Sequence, residues 1–125
     1  MGDSKLLPEA ALNFAGRTVL VTGSGRNLGK AILLGFAARG ANVIVNVKSN
    51  DAEGRQTREE AEALGARAIV VRGDASDRNV VAEIKRQAES EFGRVDIYVS
   101  CANRRLSKDF FSTTDEDWHY YLNQQ

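Results

Sequence analysis

The sequence feature that most constrains the fold is a glycine-rich turn between a strand pattern and a helical pattern. Thr18 to Val21 is a short β-branched, apolar run, and Thr22 to Gly29 follows it with three glycines. From Leu28 to Arg39, apolar residues recur at the spacing of a helix. A chain that turns from strand to helix through glycines aims backbone amides and the helix dipole at one point. The turn therefore predicts a phosphate-binding site at the start of the first helix.

The same order of strand and helix is repeated along the chain. Further strands are predicted at Asn42 to Val47, Ala68 to Val71 and Val95 to Val99, and further helices at Asp51 to Leu64, Asp77 to Phe92 and Thr113 to Gln125. Helix stops are predicted at Gly40, Gly65 and Gly93, and capping boxes at Asn50 with Glu53 and at Thr113 with Glu116. The alternation predicts an α/β fold, a Rossmann-type doubly wound parallel sheet of order 3-2-1-4.

In such a sheet, ligands bind beyond the carboxyl ends of the strands, where the strand order reverses. That point lies between the first and fourth strands, so residues 22–29 and 101–105 are expected to face one crevice.

Composition narrows the class of protein. At 125 residues the chain is expected to be one domain, and 17 Lys plus Arg balance 17 Asp plus Glu. No net charge draws it to nucleic acid or to a membrane surface, and no apolar run approaches the ~20 residues of a membrane span. Cys101 is the single cysteine, which excludes an internal disulfide and a cysteine metal cage. We expect a cytoplasmic protein with no metal site.

Two phosphate-binding motifs compete for the turn. The mononucleotide P-loop fails because Ser24 replaces its first glycine and Ala31 stands where a hydroxyl would hold Mg²⁺. The strict dinucleotide spacing of glycines also fails, because Leu28 occupies the third glycine position. The dinucleotide interpretation is favoured over the mononucleotide one, and a turn that binds no ligand is a further alternative.

The pattern Thr22-Gly23-x-x-x-Asn27-x-Gly29 resembles the T-G-x-x-x-G-x-G turn of the short-chain dehydrogenase/reductase family. Asn27 takes the place of the middle glycine, and asparagine tolerates positive φ better than most residues. The resemblance implies cofactor contacts from this turn. The residues concerned are Thr22, Gly23, Gly25, Arg26, Asn27, Leu28 and Gly29.

The resemblance covers most of the chain. Residues 73–77 are similar to the acidic turn of that family, which implies that Asp74 and the adjacent Ala75 lie at the adenine end of the cofactor. The alternative is that Asp74 caps the next helix. Residues 100–103 occupy the place of the N-N-A-G motif of the family, and only Ala102 matches it. The resemblance implies that Ala102 and Asn103 lie next to the cofactor.

The end of the second strand bears on the choice of dinucleotide. NAD sites place an acidic residue there, whereas this chain has Lys48 and Ser49, and Arg26 lies in the glycine turn. A cation, a hydroxyl and a guanidinium suit a 2′-phosphate, so NADP(H) is predicted, with NAD(H) as the alternative. Solvated surface charges are the other explanation for Lys48 and Arg26, and Asp51 lies close by in sequence.

The resemblance implies an oxidoreductase acting on a small carbonyl or alcohol, most like the oxoacyl reductases. The catalytic Tyr-x-x-x-Lys pair of that family is not in the chain, so no catalytic residue is assigned. We expect residues 1–125 to be the N-terminal half of a longer, homo-oligomeric enzyme. The alternative, if the chain is the whole protein, is a non-catalytic dinucleotide-binding or interaction module.

Overall fold

The computed structural model describes residues 12–102 and 109–122. The strands are β1 (Thr18–Thr22), β2 (Asn42–Val47), β3 (Ala68–Arg72) and β4 (Ile97–Ser100). The α-helices are α1 (Asn27–Ala37), α2 (Asp51–Ala63), α3 (Arg78–Phe92) and α4 (Asp115–Leu122), and a short 3-10 helix covers Phe110–Ser112.

The four strands form one parallel sheet in the order β3-β2-β1-β4. Val19 lies opposite Val43 of β2 and Ile97 of β4. The predicted α/β class and the order 3-2-1-4 are confirmed.

The core occupies both faces of the sheet. One buried cluster joins β1 and β2 to α1 and α2, with Val19, Val21, Leu33, Val45 and Ala61 among its members. A second cluster joins the other face to α3, and it consists of Ile44, Val71, Ile84 and Ala88. Each buried Val, Leu or Ile side chain stabilises the fold by about 1.5–3 kcal/mol relative to an exposed one. Helices therefore cover both faces, as expected of a parallel sheet.

The beginning of β4 differs from the prediction by two residues. The strand starts at Ile97, and Val95 is exposed. The chain reaches β1 only at Asp96, whose amide donates to the Thr18 carbonyl and whose carboxylate accepts from the Thr18 amide at 2.8 Å.

The helix ends follow local capping chemistry. Gly65 follows the last turn of α2 with φ of +96°, and Gly93 caps α3 with φ of +89°. The Asn50 side chain accepts from the Glu53 amide at 3.1 Å, as an N-cap does. Helix α1 ends earlier than predicted, at Ala37, and Gly40 takes its positive φ three residues later.

The predicted capping box at Thr113 and Glu116 is wrong by one residue. The Thr114 hydroxyl accepts from the Asp117 amide at 3.1 Å, and the Asp117 carboxylate accepts from the Thr114 amide at 2.9 Å. Thr113 is instead bonded to the preceding turn, since its amide donates to the Phe110 carbonyl and its hydroxyl to the Asp109 carbonyl. Helix α4 therefore begins at Asp115, later than the predicted Thr113.

Within residues 12–102 and 109–122, no helix combines the length and the apolar character that crossing a membrane requires.

Candidate functional site

The glycine turn lies at the carboxyl edge of the sheet, between β1 and α1. Thr22, the last residue of β1, is buried, and its hydroxyl accepts from the amides of Cys101 and Ala102 at 3.2 and 3.4 Å. The turn is thereby fixed against the end of β4. This places Ala102 beside the turn, as the sequence predicted for the crevice between β1 and β4.

Close packing explains the glycines of the turn. A Cβ on Gly23 would lie 2.8 Å from the Ala102 Cα, and one on Gly25 would lie 2.6 Å from the Val47 Cγ1. A Cβ on Gly29 would collide with the Gly23 carbonyl oxygen. The glycines let strand, turn and helix approach closely, and Gly23 also has φ of +65°.

Asn27 adopts φ of +52°, and it is the one non-glycine residue with positive φ among those described. This agrees with the expectation that asparagine replaces a glycine at this place in the turn.

The amides of the first turn of α1 are free of side-chain caps. Arg26 occupies the N-cap position with an extended backbone, and its side chain makes no capping bond. By contrast, Asn50 caps α2 and Asp77 caps α3. The first amides of a helix have no intrahelical acceptor, so those of α1 remain available to an anion.

Two amides earlier in the turn are used by the protein itself. The Gly23 amide donates to the Asn46 side-chain oxygen at 3.2 Å, and the Ser24 amide donates to the Asn46 carbonyl at 2.9 Å. An anion would therefore be held by the amides that follow Ser24 rather than by the whole turn.

Asn46 is a residue of the site that sequence reasoning missed. It is buried in β2, and its side-chain nitrogen donates to the carbonyls of Val71 and Gly73, each at 3.1 Å. The available signal was a polar residue inside the apolar run Asn42–Val47, at a strand that the pattern places inside the sheet.

The residues predicted for the adenosine end also come together. Lys48 follows β2, and its Nζ lies 3.5 Å from the Asp74 Oδ2 in the turn after β3. Ser49 is exposed beside Lys48, and Ala75 is half-buried beside Asp74.

The Asp74 carboxylate is held by its own turn. Hydrogen bonds from the Ser76 hydroxyl at 2.7 Å and the Ser76 amide at 2.9 Å lower the pKa of Asp74, and the charge of Lys48 lowers it further. The alternative role of Asp74 as a helix cap is wrong, because Asp77 accepts from the Asn79 amide and caps α3.

Arg26 and Leu28 present their side chains to solvent at the mouth of the turn. Leu28 is 69 % exposed, an apolar side chain where α1 begins. Arg26 is exposed and has no ion-pair partner within the described part of the chain.

Asn103 and the neighbouring residues 104–105 lie outside the described residues. Of the predicted site, residues 22–29, Lys48, Ser49, Asp74, Ala75 and Ala102 lie at the carboxyl ends of the strands. No group of three or more His, Cys, Asp or Glu side chains that could bind a metal ion occurs among residues 12–102 and 109–122.

Comparison with known proteins agrees with this geometry. The family model described as short chain dehydrogenase matches residues 17–124. A hydroxynaphthalene reductase-like protein of Metarhizium acridum is 35% identical over 115 residues, which cover 92% of this chain and 43% of that protein. An NADP(+) L-rhamnose 1-dehydrogenase of Thermoplasma acidophilum is 32% identical and covers 91% of this chain and 49% of its own length.

Among solved structures, the L-sorbose reductase of Gluconobacter frateurii, complexed with NADPH and L-sorbose, superposes with a TM-score of 0.79. It is 27% identical, and the match covers 90% of this chain and 43% of that chain. This chain thus spans less than half the length of the relatives that it matches.

Proposed function

The chain belongs to the short-chain dehydrogenase family, and on that premise we propose that it binds NADP(H) for hydride transfer to or from a small carbonyl or alcohol substrate. The observation that carries the proposal is the start of α1, where uncapped amides follow a turn whose glycines let strand and helix pack closely. A pyrophosphate supplies the anion that such amides lack. The bound nicotinamide supplies the hydride chemistry, and the residues of this chain bind and orient the cofactor.

The proposed preference for NADP(H) rests on charge at the ends of β2 and β3. Lys48 and Arg26 offer cations, Ser49 offers a hydroxyl, and no carboxylate follows β2 directly. Asp51, the nearest acid in sequence, is paired with Arg72 at 3.4 Å. That pairing offsets the repulsion between Asp51 and a 2′-phosphate.

The names of the relatives add support of a coarser kind. One matched relative is named as an NADP(+) enzyme, and one matched structure contains NADPH. Both are named for sugars, so the likeness to oxoacyl reductases remains a proposal from the motifs. We also propose a homo-oligomeric assembly, a cytoplasmic location and a role for residues 1–125 as the N-terminal half of an enzyme.

The cofactor preference is tested by titrating the protein separately with NADPH and NADH. We expect NADPH to bind at least about tenfold more tightly, which corresponds to about 1.4 kcal/mol. Lys48→Ala should weaken NADPH binding by about tenfold and leave NADH binding within about twofold, because only NADPH carries the 2′-phosphate.

Lys85→Ala is the matched control, because Lys85 is an exposed lysine in the middle of α3. It should change neither affinity. Equal affinities for the two cofactors in the unmodified protein would contradict the preference, and binding of neither cofactor would contradict the proposed function.

Turnover distinguishes an enzyme from a binding module. A model ketone mixed with NADPH and the complete natural protein should consume NADPH, which is followed by its absorbance. Binding without turnover of any tested carbonyl or alcohol would favour the non-catalytic module.

A further inference from the structure

Asn46 connects the two turns that flank the carboxyl end of β2. The residue is only 2% exposed. Its side-chain oxygen accepts from Gly23 in the glycine turn, and its side-chain nitrogen donates to Val71 and Gly73 at the end of β3. One side chain thus makes three hydrogen bonds, one to the glycine turn, one to β3 and one to the turn after β3.

The backbone of Asn46 strengthens the connection to the glycine turn. Its amide donates to the Ser24 hydroxyl at 3.0 Å, and its carbonyl accepts from the Ser24 amide at 2.9 Å. The Ser24 hydroxyl in turn donates to the Val21 carbonyl at 2.7 Å. Ser24 is fully buried, so solvent does not compete for these bonds.

The two loops hold opposite parts of the proposed ligand site. Gly23 and Ser24 directly precede the amides assigned to the pyrophosphate. Gly73 directly precedes Asp74, and its own amide donates to the Val47 carbonyl at 2.8 Å, next to Lys48. The distance between the pyrophosphate position and the adenosine position therefore depends on the glycine turn and the turn after β3, which Asn46 connects.

We propose that Asn46 is a positioning residue that fixes the glycine turn relative to the turn after β3 and thereby sets the affinity for the adenosine half of the dinucleotide. The inference rests on the proposed function, because it assigns a role within that cofactor site. Asn46 acts through the backbone of Gly23 and Gly73 and touches no reacting atom.

Asparagine is suited to this role because it carries an acceptor and a donor on one short side chain. In Asn46→Asp, one oxygen still accepts from the Gly23 amide. The other replaces the donor, so an acceptor faces the carbonyl oxygens of Val71 and Gly73. The size of the residue is conserved, and the connection to the turn after β3 is lost.

The test is calorimetric titration of the complete protein with NADPH and with adenosine 2′,5′-bisphosphate. We expect Asn46→Asp to raise both dissociation constants by about tenfold or more, while the number of ligands bound per folded protein stays the same. If Asn46→Asp does not fold, Asn46→Ser serves instead, because its shorter side chain cannot reach both loops.

Ile84→Ala is the control for a loss of stability alone. Ile84 is buried in the cluster against α3, so its truncation lowers the melting temperature without changing a loop of the site. Its dissociation constants should stay within about twofold of the unmodified protein.

A lower stoichiometry with unchanged dissociation constants in the Asn46 variant would mean that Asn46 only supports folding, and the inference would be wrong while the proposed function stands. Binding of neither ligand by the unmodified protein would overturn both.

Discussion

At the scale of single residues, the glycines of α1 and its preceding turn differ in what surrounds them. A Cβ on Gly29 meets the carbonyl oxygen of Gly23, which belongs to the backbone and has no rotamer by which to move away. A Cβ on Gly35, in the same helix, meets no atom within 4 Å. The same substitution therefore has opposite consequences at the two positions.

We predict that Gly29→Ala destabilises the protein by about 2 kcal/mol and weakens cofactor binding, because the first turn of α1 must move away from Gly23. Gly35→Ala should stabilise it by about 0.5–1 kcal/mol, since alanine has the higher helix propensity. Urea unfolding of both variants and of the unmodified protein measures the difference. Similar effects of the two substitutions would contradict the packing argument.

Asn27 gives a second prediction, about backbone conformation. At φ of +52° a β-branched residue is strained, so Asn27→Val should cost about 1–2 kcal/mol, whereas Asn27→Gly should be neutral or stabilising. Asn79→Val, at an exposed position early in α3, is the control and should cost at most about 0.5 kcal/mol. Equal melting temperatures for Asn27→Val and Asn27→Gly would show that the positive φ is not required.

At the scale of elements, α3 carries a local network whose charge depends on pH. The Glu83 carboxylate accepts from Arg86 at 2.6 Å and from Gln87 at 2.7 Å. These bonds, with Arg86 the larger cause, lower the pKa of Glu83 from 4.5 to about 2. Between these two pKa values, the carboxylate is therefore charged in the folded protein and protonated in the unfolded chain.

The direction of the pH effect follows from that difference. The stabilisation from Glu83 is fully present above the unfolded pKa of 4.5 and is lost as the pH falls toward about 2. We predict that Glu83→Gln flattens the decline of the free energy of unfolding across this range, as measured by urea unfolding at successive pH values.

The control for this prediction is Glu89→Gln. Glu89 lies on the same helix with a longer ion pair, 3.9 Å to Lys85, and its replacement should leave the decline almost unchanged. Because the groups are exposed, 0.5 M salt should weaken the effect of Glu83. An identical decline in Glu83→Gln and the unmodified protein would contradict the assignment.

The elements themselves were largely predictable from the sequence, and their ends were less so. The strands of the sheet are short, mostly apolar runs, and the helices have apolar residues at helical spacing along one face. Both patterns can be recognised in the sequence. Thr113 and Thr114 are chemically equivalent as caps, and only the bonds of Thr113 to the preceding turn decide between them. Such a choice depends on tertiary geometry that a local pattern does not contain.

The candidate site was predictable where backbone geometry dictates residue type. Glycines and Asn27 mark the turn because few other residues fit there. Asn46 was missed because its partners are 23 and 27 residues away in sequence, at Gly23 and Gly73. The ion pair between Lys48 and Asp74 was hidden for the same reason, since each residue was singled out separately.

At the scale of the whole molecule, apolar side chains remain at the surface of the described chain. Strand β4 pairs with β1 on one side, and its Tyr98 is 59% exposed. Phe110 and Phe111 pack edge to face at 5.5 Å between ring centroids, and Phe111 is 91% exposed. Exposed aromatic residues of this kind favour contact with another protein surface.

We predict that the polypeptide of residues 1–125 self-associates as its concentration rises and that Phe111→Lys weakens this association. The lysine removes apolar surface and adds a charge, both of which oppose burial against a second copy. Val81→Lys is the matched control, because Val81 is an exposed apolar residue on α3 and the added charge is the same.

Sedimentation velocity over a range of concentrations measures the association. We expect the unmodified polypeptide and Val81→Lys to sediment faster as concentration increases, and Phe111→Lys to remain closer to the monomer. If both lysine variants weaken association equally, net charge rather than the aromatic pair controls association. In that case the exposed aromatic rings are not the contact surface, and the edge of β4 away from β1 becomes the surface to test. No strand among residues 12–102 and 109–122 pairs with that edge, so a second copy can bond to its amides and carbonyls.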